Sequence, residues 1–110
     1  MSRKPGKDDA PREPRYGPRD RALAARVRKV RAHMGLTRPQ FVAWLKERGL
    51  AVEYDRLRNY EKGFNVPIDI GKALVNAIPW LKLDYLYLGR VGTAELQRVD
   101  EIDLSKVVTD

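Results

Sequence analysis

Guanidinium, ammonium and carboxamide groups dominate the chemistry open to this 110-residue chain. It has no cysteine and a single histidine, His33, so a thiol nucleophile, a disulfide framework, a zinc ribbon and a His-ligated metal cluster are excluded or nearly so. No nucleophile–base pair and no glycine-rich phosphate loop is visible, which makes an enzyme the weakest class; no cofactor, metal or small-molecule substrate is implied. Asp100, Glu101 and Asp103 resemble a metal cluster only superficially and read as a solvated acidic tail. What stands out is an excess of positive charge, 22 Lys plus Arg against 15 Asp plus Glu. Residues 1–20 carry a net +2, residues 21–90 carry +8 and residues 91–110 carry −3. The excess therefore falls on the apolar-patterned middle, where folding can concentrate it into the footprint of a phosphate-backbone binder; a generically basic surface gives the same sum.

The elements that must position these groups are helices. Residues 1–20 contain Pro5, Pro11, Pro14 and Pro18 with only Tyr16 as a large apolar group, too little to offset ordering entropy, so a disordered basic arm is expected. From Arg21 a first helix shows Leu23, Val27, Val30 and Met34 on one stripe and ends at Gly35. Thr37 and Gln40 form a capping box for a second helix, with Pro39 in its first turn and Phe41, Trp44 and Leu45 as its buried stripe until Gly49. A third helix is expected from Glu53 or Tyr54 to Lys62, with Leu57 and Tyr60 inward, Tyr54 either inward or outward, and Gly63 as its cap. Ile70, Ala73, Leu74, Ala77 and Ile78 give a fourth, ended by Pro79, and Leu83 to Leu88 a short fifth with Leu86 and Leu88 inward, flanked by Tyr85 and Tyr87. Trp44 and Trp80 read as core or interface anchors. No strand pattern competes, so the fold class is all-α, a five-helix bundle over residues 21–90. Residues 91–110 are a short C-terminal extension, expected only partly ordered and a possible dimerisation segment: Leu96, Val99 and Ile102 fit one helix stripe, while Leu104, Val107 and Val108 fit another turn or a short strand. No apolar stretch is long enough to span a bilayer and no leader precedes the basic start, so a cytoplasmic protein is expected.

Two helices joined by a Gly-containing turn, the second polar and basic on its outer side, make a helix-turn-helix arrangement. Three segments in order, RVRKVRAHMGLTRPQF, LRNYEKGFNVP and LKLDYLYLG, resemble the Cro/C1-type, or XRE, regulators over roughly residues 23–90, and the last resembles the closing motif of phage-type repressors. The resemblance implies a lambda-repressor-like bundle that binds double-stranded DNA as a homodimer. It implies that Arg31 pairs with Glu61 of the E-K-G motif, tying the first helix to the end of the recognition helix. It places Tyr54, Asp55, Arg58 and Asn59, with Arg56 close by, where the family reads bases. Arg suits guanine and Asn suits adenine, while Asp55 must accept from cytosine or orient an arginine. It places Thr37, Arg38 and Gln40 at a backbone-contacting helix start, and Lys62 and Asn65 in a loop that receives a phosphate.

The chain departs from the family in the turn. Twenty steps separate Phe41 from Glu61, more than the compact motif has, so KERGLAVE lengthens the second helix and its turn; Val42 also stands where the family favours Ala. The expected function is a sequence-specific transcriptional regulator, a repressor of an inverted-repeat operator. The alternative is an antitoxin-like or scaffold subunit with secondary DNA contact, suggested by the apolar tail Leu96 to Val108. Arg12, Arg15, Arg19 and Arg21 suit either a minor-groove arm or a plain leader.

Overall fold

A computed structural model describes residues 18–107, with side chains from residue 21 onward. Most of the expected arm lies outside the described residues. Helix α1 (Pro18–His33) begins three residues before the expected Arg21. Its stripe of Leu23, Val27 and Val30 is buried, while Met34 beyond the helix is half-buried. Gly35, at φ 72°, turns the chain so that Leu36 N–H donates back to the Arg31 carbonyl at 3.4 Å.

Helix α2 (Arg38–Glu47) starts with the expected capping box: Thr37 Oγ1 accepts from Gln40 N–H at 3.3 Å and Gln40 Oε1 accepts from Thr37 N–H at 2.9 Å. Phe41 and Leu45 are buried, and Trp44 is half-buried beneath the Arg48 guanidinium, 3.7 Å from the ring centroid. The extra length of KERGLAVE is absorbed by Val52, which plugs the connection into the core. Helix α3 (Tyr54–Lys62) follows with Leu57, Tyr60 and Glu61 buried, and closes at Gly63.

Helix α4 (Ile68–Ala77) buries Gly71 and Leu74, with Ile78 fully buried just beyond its end. Helix α5 (Leu83–Leu88) corrects one expectation: Tyr85 and Leu86 are buried, whereas Leu88 is 57% exposed. At about 100° per residue, positions 86 and 88 lie about 200° apart, so one helix cannot send both inward.

In the tail the helix and turn alternatives are the ones formed, as helix α6 (Ala94–Asp100) and a 3₁₀ turn at Leu104–Lys106. Leu96 and Val99 are buried in the same core as Phe41 and Leu45, and Thr93 caps α6 by accepting from Leu96 N–H at 3.1 Å. The described residues form an all-helical globule with α1 at its centre, touching α3, α5 and α6. Among them no strand occurs, and no helix is long and apolar enough to cross a membrane.

Candidate nucleic-acid interface

The end of α1, the start of α2 and the inner side of α3 are joined by one ionic cluster. Arg31 on α1 donates Nε to Glu61 Oε2 at 2.7 Å and Nη2 to Glu61 Oε1 at 2.9 Å, both side chains being fully shielded. Its third nitrogen, Nη1, donates to the Leu36 carbonyl at 3.0 Å. Arg38 adds a second guanidinium, donating Nε to Glu61 Oε1 at 3.0 Å with 12% of its side chain exposed. A carboxylate this deeply withdrawn from water is tolerable because three charge-assisted bonds satisfy it.

Glu61 lies on the inner side of α3 with Leu57 and Tyr60, and this fixes where the other residues of that helix stand. At about 100° per residue the opposite side is centred on Asp55, flanked by Asn59 and Lys62, with Arg58 and Tyr54 toward Glu61 and Arg56 toward Tyr60. Asp55, Arg56, Arg58 and Lys62 are exposed, and Tyr54 and Asn59 half-buried. Arg58 and Tyr54 therefore share a side with Arg38 and the start of α2. Arg56 is turned elsewhere: its cation lies close enough to the Tyr60 hydroxyl to oppose the rise that burial gives that phenol's pKa. Arg56 thus stands apart from Arg58, although sequence spacing groups them.

Helix α2 carries no acidic residue in its first turn. Helix starts ordinarily favour acids because unsatisfied N–H groups and the macrodipole are positive there. Here the capping box meets part of that demand. Thr37 is half-buried and Gln40 exposed, so the cap itself lies at the surface. On the far side of α3, Lys62 and Asn65 are exposed around Gly63. There Phe64 N–H donates to the Asn59 carbonyl at 3.0 Å, and Gly63, at φ 117°, takes a conformation that a side chain would strain.

Several positioning residues were not legible in the sequence. Tyr87 of α5 reaches across α4 to the carbonyls of Val66 and Pro67, at 2.9 and 3.0 Å. Arg26 Nε donates to the Leu86 carbonyl at 2.8 Å, and burial lowers that guanidinium's pKa. Lys29 Nζ donates to the Asp100 carbonyl at 2.8 Å, and Tyr85 donates to Asp100 Oδ1 at 3.2 Å, so Asp100 is part of the α6 dock and not simply solvated. His33 meets Glu95 at 2.6 Å, edge-on to Trp80. The signals were weak because each pair joins residues more than fourteen positions apart. No family model, curated protein or solved structure matches the chain.

Proposed function

We propose that the chain is a sequence-specific double-stranded DNA-binding transcriptional regulator of the XRE, Cro/C1-like type, a cytoplasmic repressor of phage-like character with a lambda-repressor-like bundle. In this reading α3 lies in a major groove. Arg58, Asn59, Asp55 and Tyr54 face base edges, while Arg38, Thr37 and Gln40 contact one phosphate run and Lys62 and Asn65 another. Arg56 acts from the flank of the helix. The observation that carries the proposal is the Arg31–Glu61–Arg38 cluster, which ties α1, α2 and α3 together behind an outer face rich in exposed polar and cationic groups.

A homodimer on an inverted repeat follows from the same reading. The exposed large apolar side chains Ile68, at 55%, and Leu88, at 57%, supply the surface for it. The antitoxin-like alternative rested on the apolar tail. With Leu96 and Val99 buried in the chain's own core, that feature no longer favours a foreign partner.

Fluorescence anisotropy with duplexes selected from a random pool tests the proposal. If ~4 to 8 phosphates are neutralised, log affinity falls with log salt at a slope of about −4 to −7, and the selected consensus has two-fold symmetry. A flat salt response overturns it.

A further inference from the structure

Tyr87 stands on α5, twenty and twenty-one positions beyond the two carbonyls it reaches. Its one hydroxyl proton is shared between Val66 O at 2.9 Å and Pro67 O at 3.0 Å, immediately before the first turn of α4. The ring gets there because α4 has glycine at position 71. A Cβ at Gly71 would overlap the Tyr87 hydroxyl and the adjoining ring carbons. Glycine weakens a helix interior, so its presence at this crossing serves the close approach of the ring. Burial pushes the Tyr87 phenol up to about 12, which keeps the proton available throughout the neutral range.

The segment thus held is the α3–α4 connection, residues 63–67. Its first end is fixed by the Gly63 turn and the Phe64–Asn59 bond. Its far end is fixed by buried Val66 and by the Tyr87 hydroxyl. Between and beside these anchors stand exposed Lys62 and Asn65. A connection pinned at both ends presents its polar groups in one arrangement, and a ligand that binds there need not order them first.

We infer that Tyr87 is a positioning residue for DNA contact: through Val66 and Pro67 it holds the α3–α4 connection so that Lys62 and Asn65 meet one backbone phosphate. The inference rests on the DNA-binding reading above. It assigns a role to a residue that touches no nucleotide and belongs to a helix outside the helix-turn-helix pair. Because the contact is to phosphate, its loss weakens all duplexes alike and leaves base preference intact.

The experiment is a double-mutant cycle on the full chain with the selected duplex, combining Tyr87→Phe and Asn65→Ala. Tyr87→Phe keeps the ring against Gly71 and removes only the hydroxyl. Expected are about tenfold weaker binding, a salt slope smaller by about 1 and an unchanged consensus, with Asn65→Ala causing a smaller loss that spares the Lys62 contact and the pair losing less than the product of the two single losses. A second variant, Gly71→Ala, keeps the hydroxyl but displaces the ring, and should weaken binding in the same way. The inference is overturned if the two losses multiply, if Gly71→Ala binds normally, or if the Tyr87→Phe loss is fully explained by a smaller folded fraction in thermal melts. A wild-type chain that shows no salt-dependent duplex binding overturns the functional reading itself; steep wild-type binding with multiplying losses overturns only the role of Tyr87.

Discussion

Arg31 and Glu61, thirty residues apart, meet in a two-bond fork at 2.7 and 2.9 Å with no solvent reaching either side chain. Arg31→Ala leaves the carboxylate buried with Arg38 as its one remaining guanidinium among these three residues. Loss of one partner of a buried pair costs about 3 to 5 kcal/mol, a large part of what a chain of this size has. Chemical denaturation should show that loss. Arg31→Lys should recover only part of it, since an ammonium cannot reproduce the planar fork and also reach Leu36.

Arg58 and Arg56 should separate in binding assays, because only the latter lies on the Tyr60 flank of α3. Arg58→Ala is expected to relax preference at one base position by about 1 to 3 kcal/mol. Arg56→Ala should weaken duplexes of every sequence to a similar extent. A panel of single-base operator variants measured at one salt concentration distinguishes the two patterns, and equal loss of base preference in both variants contradicts the assignment.

Leu88 is apolar and exposed in the single chain. Leu88→Asp should keep native helical content and a cooperative melt, because nothing is removed from the core, with the melting temperature no longer dependent on protein concentration. Sedimentation should then report a monomer at concentrations where the parent chain is dimeric, and binding to a half-site should be retained while cooperative binding to the full operator is lost. A variant that still sediments as a dimer places the interface elsewhere.

The docking of α6 should depend on acid. Glu95 has its pKa lowered from the ordinary 4.5, chiefly by the hydrogen bond with His33. A carboxyl that is more acidic in the folded state than in the unfolded state stabilises the fold fully above the unfolded value, and that contribution is lost as pH falls through the lowered one. Amide exchange in Leu96 to Asp100 should therefore accelerate as pH drops below about 4.5, after correction for intrinsic rates. Glu95→Gln should flatten this extra dependence; an identical profile in the variant counts against it.

Much of the helical order was legible in the chain because its signals are local. Thr37 with Gln40, Gly35, Gly49, Gly63 and Gly89 mark helix ends through bonds and backbone angles that involve only a few neighbouring residues. The stripe of Leu23, Val27 and Val30 shows in the 3.6-residue period for the same reason. The Arg31–Glu61 pair was reached only through a family resemblance, since thirty positions of separation leave no periodic trace.

The sequence by itself determined the helical class, the boundaries of the second, third and fifth helices and the concentration of positive charge on residues 21–90, since propensity, capping and charge are properties of short stretches. Only tertiary structure decided that Leu96 and Val99 complete the core, that Leu88 is left outside while Tyr85 is enclosed, and that Arg56 turns to Tyr60. Those outcomes depend on which surfaces distant segments offer one another. An apolar residue is buried only if a partner arrives to cover it, and the identity of that partner is written nowhere near it in the chain.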